Sequence, residues 1–511
     1  MFLRSSVFRV FAAAVATASL AGCPRQSAPP APPPAPPTQQ VAALRWDLCR
    51  YDHSRPRPEI TPGDAQCAVL KAPADPSQKN GPATVDIAVI RRTATDQQNK
   101  IGTLVYFPPA MDASGVDQIV NDPTLAGLEK SFDLVSFNPR GVAGSFSVSA
   151  SSQKAQAFCD KSVLAEAEPF LRAPVVEPEQ LEVARSKSVS VYNSCVQISK
   201  VDHFDAVTAA QDVELLRQSL GVDQISLYAH GYGTLAAQAY ARLNPGHVRA
   251  SVLDAPIPPK LTATDFASQL AGSLEGAYTR FAAWCAADQS CALGKQDPWE
   301  VYDSLVAKAG SDAGLVNPAF PDSRLDQPYL NWQIDQILAK ADDAKLADYL
   351  KALTANQPFP EAPRDEAPAD APVQYPVVEF RLCQDLDLKL APADVENTAR
   401  SAAAAAPHFR SSPYANRLLA LCLGFPSPAQ SAPTGPAGSP VLVIGGADDV
   451  RSPAVWSQAV AAQLGEKATS VSVDDGTDQV RLISGGPAEQ ALANFLIALK
   501  APPKDTVYPP N

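Results

Sequence analysis

Short runs of β-branched and apolar residues alternate along this chain with longer segments whose apolar positions recur at helical spacing. The runs Gln66–Lys71, Val85–Arg91, Thr103–Phe107, Leu134–Phe137, Ile225–Ala229, Ala250–Leu253, Val441–Ile444 and Ser470–Val473 predict strands. Val207–Leu220 carries leucines and valine at helical spacing and stops at Gly221; Thr234–Leu243 is a small-residue helix ending near Asn244-Pro245-Gly246. Strands alternating with helices predict an α/β fold with a mostly parallel sheet. The alternation breaks between about Ala255 and Pro440. There the pattern is helical over Phe266–Trp284 and Tyr329–Leu353, with a proline-rich acidic stretch at Gln357–Pro376 and a Pro/Gly/Ser stretch at Gly424–Pro440. A helical lid inserted into the sheet-forming sequence accounts for this.

The start of the chain has a different character. Two arginines, Arg4 and Arg9, precede an apolar run from Val10 to Ala21 that is short for a membrane span. Leu20-Ala21-Gly22-Cys23 resembles the bacterial lipobox, in which the cysteine thiol is acylated and becomes the new N-terminus. An ordinary signal peptide cut near Ala21 is the alternative. The resemblance implies a protein tethered by lipid at Cys23 on the cell envelope rather than one that spans the bilayer. Pro24, in place of the aspartate that commonly signals inner-membrane retention, points to the outer membrane. Gln26–Gln40 is a proline-rich spacer. The expected organisation is a signal peptide over 1–22, a lipidated tether over 23–42, an α/β core over 43–255 and 440–500, a helical lid over 256–439, and a tail over 501–511.

With 511 residues, 46% of them hydrophobic, the chain can bury a large core. The net charge of −12 removes any general attraction for nucleic acid or anionic lipid. Eight cysteines follow Cys23, at 49, 67, 159, 195, 285, 291, 383 and 422. An even number in an exported chain suggests disulfides, neighbour pairing being simplest, with buried thiols as the alternative. Without a Cys-x-x-Cys pair or a Cys/His cluster, no metal site is expected, and no cofactor is indicated.

The strand Ile225–Ala229, the turn Ala229-His230-Gly231-Tyr232-Gly233 and the helix after it form a strand–turn–helix corner. In α/β-hydrolases this corner is the nucleophile elbow, G-x-S-x-G. Phe132-Asp133-Leu134-Val135-Ser136-Phe137-Asn138-Pro139-Arg140-Gly141-Val142, Phe204-Asp205, His247-Val248-Arg249, Leu253-Asp254, Phe281 to Cys285 and Cys291 to Gly294 extend the likeness. Together they resemble the secreted tripeptidyl aminopeptidases, relatives of prolyl iminopeptidase, from about Trp46 to Leu499. The resemblance implies an α/β-hydrolase fold with an inserted lid.

It also implies a serine, an aspartate and a histidine in that chain order, with an oxyanion hole. The serine attacks, the histidine takes its proton, the aspartate orients the imidazole, and backbone N–H groups receive the negative charge. Carried over position by position, the nucleophile falls on Gly231, which has no side chain. The acid falls on Asp448; alone it reads as a loop carboxylate able to cap the following helix. The base falls on Gln479. The five histidines are 53, 203, 230, 247 and 408, and none follows Asp448. The oxyanion loop, glycine-rich in relatives, reads Pro108-Pro109-Ala110-Met111-Asp112-Ala113-Ser114-Gly115. Proline at 109 has no N–H to give.

The framework positions are kept while these chemical positions differ. The expectation is a non-catalytic pseudohydrolase that binds a peptide, a small molecule or an envelope protein in the old cleft or on the lid. An exported peptidase or esterase with relocated groups drawn from Ser114, Ser226, Tyr232, Thr234, His230, His408 and Asp448 is the alternative. A scaffold in which the tether matters more than the cleft is a third reading.

Overall fold

The computed structural model describes residues 42–49, 65–77, 84–109, 115–140, 142, 161–172, 174, 177–199, 203–312, 314–318, 324–359, 377–426, 432–474 and 486–509. Among the described residues there are twelve strands: β1 (Asp47–Leu48), β2 (Ala65–Pro73), β3 (Thr84–Arg92), β4 (Gly102–Phe107), β5 (Phe132–Phe137), β6 (Ile225–His230), β7 (Val248–Asp254), β8 (Leu315–Val316), β9 (Arg324–Leu325), β10 (Val441–Gly446), β11 (Ala468–Val473) and β12 (Thr506–Tyr508). Ten of them form one sheet in the order β1-β2-β3-β5-β4-β6-β7-β10-β11-β12. β1, β2 and β3 are antiparallel, and β3 meets β5 antiparallel. From β5 through β12 every pairing is parallel. The eight predicted strands are all present. β1, β8, β9 and β12 were not anticipated, because two or three residues carry no period.

Both faces of the sheet are covered, which is why the central strands are buried at every position. On one face lie α1 (Gly115–Asn121) and α14 (Pro487–Ala498), packed over Tyr106, Leu134, Tyr228 and Ile444. On the other lie α4 (Ala206–Leu220), α5 (Gly233–Leu243) and α13 (Ala454–Leu464). α4 starts at Asp205, whose carboxylate accepts from the Thr208 N–H, and stops at Gly221 in the left-handed conformation. A helical excursion after β5 holds α2 (Lys161–Arg172) and α3 (Pro178–Ser199).

Between β7 and β10 the described residues leave the sheet for a set of α-helices. These are α6 (Ala263–Ala287), α7 (Pro298–Ala309), α8 (Gln327–Leu338), α9 (Asp343–Thr354), α10 (Val377–Asp385), α11 (Val395–Ala405) and α12 (Pro413–Cys422). The continuous helical pattern expected over Tyr329–Leu353 is in fact α8 and α9. Ala341 takes a positive φ of 47°, and Asp342 caps α9 by accepting from the Lys345 N–H. That cap competes with helix propagation and wins.

Disulfides join Cys49 to Cys67, Cys285 to Cys291 and Cys383 to Cys422. These are three of the four neighbour pairs; Cys159 and the Cys195 side chain lie outside the described residues. Bonds of this kind belong to an oxidising compartment. The proposed lipid attachment at Cys23 and the spacer also lie outside the described residues. No helix among the described residues is long and apolar enough to cross a membrane.

The Cys383–Cys422 bond ties α10 to α12 across 39 residues. Loop-closure entropy for that span is worth about 4 kcal/mol. Replacing both cysteines by alanine should lower the unfolding free energy by about 3–4 kcal/mol in urea titrations; an unchanged midpoint would show that the insertion does not depend on it.

Candidate functional site

β4, β6 and β7 run side by side, and their C-terminal ends meet at one rim of the sheet. Phe107 pairs with Ala229, and His230 with Asp254. The chain then turns sharply from β6 into α5 at Gly231, whose φ is +46°. A positive φ at this apex is what the elbow turn requires, and glycine adopts it without cost. Two residues on, Gly233 lets α5 approach β4 closely. A Cβ there would lie 2.7 Å from the Pro108 carbonyl oxygen.

Hydrogen bonds fix the turn. The Gly231 N–H donates to the Asp254 carbonyl at 2.9 Å, and the Thr234 hydroxyl donates to the Gly231 carbonyl at 2.6 Å. The Tyr232 N–H donates to the Pro109 carbonyl at 2.9 Å. In an elbow of this type the N–H after the apex is one of the donors that receive an oxyanion. Here it is already engaged, by the residue that supplies no N–H of its own.

The flanking side chains diverge. His230 lies on the same face as Tyr106 and Tyr228, its ring 5.4 and 4.4 Å from theirs. Its Nδ1 is 3.0 Å from Asp254 Oδ2, and its Nε2 is 3.9 Å from Asp122 Oδ2. Asp122 accepts from the Tyr106 and Thr124 hydroxyls. Burial alone would lower the His230 pKa; the charge and hydrogen bond of Asp254, aided by Asp122, outweigh it and hold the pKa above the ordinary value. This is a histidine–carboxylate pair with no described hydroxyl on its Nε2. Alternation along β6 placed it there.

Tyr232 points the other way, into the helical insertion. Its hydroxyl donates to Asp385 at the end of α10, and the other Asp385 oxygen accepts from the Ala206 N–H at 2.7 Å. Arg381, one turn earlier, donates to the carbonyls of Phe204 and Arg140. Burial pushes the Asp385 carboxyl up to about 7, against the lowering effect of its donors and Arg381. The sequence singles out Tyr232 but not its partners Asp385 and Arg381, which are 153 and 149 residues away and meet it only through the fold.

Asp448, after β10, lies 3.4 Å from Arg280 Nε. Arg280, on α6, also donates to both oxygens of Asp343 on α9. Burial raises the Asp448 pKa, Asp474 and Asp343 add to this, and Arg280 opposes it. Asp448 does not cap the following helix, α13, whose N-cap residue Pro453 makes no side-chain capping hydrogen bond. Asp449 is buried and accepts from the Arg451 and Ser452 N–H groups, because the loop turns its carboxylate inward and that of Asp448 toward α6. His408 stacks on Trp299 with ring centroids 4.0 Å apart and lies 3.2 Å from Asp303. His203 is 3.8 Å from Asp75, and His247 Nδ1 is 2.8 Å from the Asp223 carbonyl. Ser226 is buried within β6. Gln479, Ala110, Ser114 and His53 lie outside the described residues. Among the described residues no group of three or more His, Cys, Asp or Glu is placed to hold a metal ion.

The model of the α/β-hydrolase fold family matches residues 104–476, the greater part of the chain. The chain belongs to that family. Serine protease Hip1 of Mycobacterium tuberculosis is 31% identical over 295 residues, covering 56% of this chain and 52% of that protein. Tripeptidyl aminopeptidase of Streptomyces lividans is 27% identical over 299 residues, 54% and 51% of the two chains. The chain thus spans about half the length of the curated relatives it matches. The solved structure of Rv0554 from Mycobacterium tuberculosis aligns over 85% of this chain and 100% of its own at 15% identity, with a TM-score of 0.34.

Two titrating groups flank the elbow with the same sign. Asp385 has a folded-state pKa above its unfolded value of 3.8, so its contribution to stability is complete below that value and is lost as pH rises through about 7. His230, also raised, contributes stability that is complete below 6.5 and is lost above it. The melting temperature should therefore fall between pH 4 and pH 8. Asp385→Asn should flatten the part below pH 7 in thermal melts; an unchanged slope would show that Asp385 does not titrate there.

Proposed function

We propose that this chain is a lipid-tethered, envelope-located member of the α/β-hydrolase family that binds a ligand and does not cleave it. The bond from the Tyr232 N–H to the Pro109 carbonyl, at a turn whose apex is glycine, carries the reading. A hydrolase needs a nucleophile at the apex and a free donor beside it to receive the oxyanion. Gly231 supplies no nucleophile, and Pro109 both lacks a donor and occupies the neighbouring one. Asp448 is held against Arg280, a partner that cannot serve as a proton acceptor. Gln479 at the base position and the loss of glycines after Phe107 point the same way. The disulfides and the Leu20-Ala21-Gly22-Cys23 sequence support export and lipid attachment.

One observation favours a second reading. The His230–Asp254 pair has the composition of the base half of a triad. In a hydrolase with relocated groups it would need a hydroxyl on Nε2. Turnover of N-terminal peptide or ester substrates, abolished by His230→Gln, would establish that reading.

The test of the first is incubation of the mature chain with a fluorophosphonate probe, followed by intact-mass measurement. No adduct is expected, and stoichiometric serine labelling would overturn it. Gly231→Ser should restore no esterase activity. His230 lies on the far side of the turn, and the Tyr232 N–H remains engaged. Appearance of activity in that variant would show that a base reaches the apex.

A further inference from the structure

A cavity of about 620 Å³ opens between α6, α8, α11 and α12 of the helical insertion, with Pro174, from the segment between α2 and α3, also on its wall. Gly231, Tyr232, Pro109 and Asp448 are not among its lining residues. The volume lies within the range of small-molecule sites, about 300–1,000 Å³. Its apolar lining includes Ala399, Ala402 and Ala403, on one side of α11, and Leu390, Phe409 and Leu419. Residues three and four apart share a helix face, so the alanines present a shallow surface that leaves room for a chain-like ligand.

Most polar groups on the wall are already engaged. Asn331 accepts from the Tyr302 hydroxyl, Gln327 bonds the same tyrosine, and Asn416 donates to the Ser411 hydroxyl. Arg400 at the rim pairs with Glu396. Arg410 differs. It is exposed at the mouth, and no described residue accepts a hydrogen bond from its guanidinium. Its backbone is held at φ +63°, with its N–H donated to the Ala406 carbonyl at 2.7 Å. A left-handed conformation is uncommon for a residue with a side chain, and the surrounding turn fixes where this one emerges.

From these features we infer that the cavity is a binding site for a single-chain anionic amphiphile, its apolar tail against the α11 alanines and its anionic head on Arg410. A guanidinium presents paired donors that match a carboxylate or phosphate edge. The apolar wall has no unsatisfied polar group that would favour a hydrophilic body. This inference rests on the binding reading above and names the site and the ligand class.

Decanoate is the probe, titrated calorimetrically into the mature protein, with decyltrimethylammonium as the cationic counterpart of equal length. Saturable one-to-one binding of decanoate is expected, with the cation much weaker. Arg410→Gln, at an exposed position, should weaken decanoate by about tenfold. Ala403→Phe, at a half-exposed helix position, should abolish it while the melting temperature stays near that of the parent. Absence of decanoate binding, equal binding of the two amphiphiles, or unchanged binding by Ala403→Phe would each overturn the inference. Fluorophosphonate labelling separates the two claims. Labelling with decanoate binding intact removes only the non-catalytic reading, and no labelling with no decanoate binding removes only this one.

Discussion

The hydrogen bond between the Tyr232 N–H and the Pro109 carbonyl joins the end of β4 to the turn after β6. It depends on a parallel pairing that brings Phe107 beside Ala229, and on a glycine that lets α5 settle against Pro108. A backbone donor can serve only one strong acceptor well, so the bond that closes this turn also decides what the turn can offer a ligand. The same few atoms therefore set both local stability and local chemistry.

The side chains around the turn extend that effect outward. Tyr232 reaches Asp385 in the insertion, and Asp385 in turn takes the first free N–H of α4. Arg451 grips the buried Asp335 of α8 through two hydrogen bonds, and Arg280 spans Asp448 and Asp343. Breaking one partner of such a buried pair leaves a charge without compensation, which is costly. The helices between β7 and β10 are thus joined to the sheet rim by polar links as well as apolar packing. Asp448 takes part as a structural anion.

Much of the fold was legible because its signals are local. Eight strands were found from apolar runs, and α4 and α5 from spacing and their stop signals. Where a local rule competed with another, the reading slipped. The Asp342 cap divides a stretch that reads as one helix, and Asp448, expected to cap α13, faces Arg280 instead. At the turn after β6, Gly231 and Pro109 can be read from sequence alone, since they are statements about what a residue lacks. The pairing of His230 with Asp254 and of Tyr232 with Asp385 was not legible, because those partners meet only through sheet register and the return of the insertion.

By itself the sequence determined that the apex has no side chain, that no histidine follows Asp448, and that residue 109 cannot donate. These are covalent facts and hold in any conformation. Only the tertiary structure decided which acceptor the Tyr232 N–H finds, which face His230 takes, and that a cavity opens beside the exposed Arg410. Each of those depends on atoms far apart in the chain being brought within a few ångströms, and strand register with helix packing sets that distance.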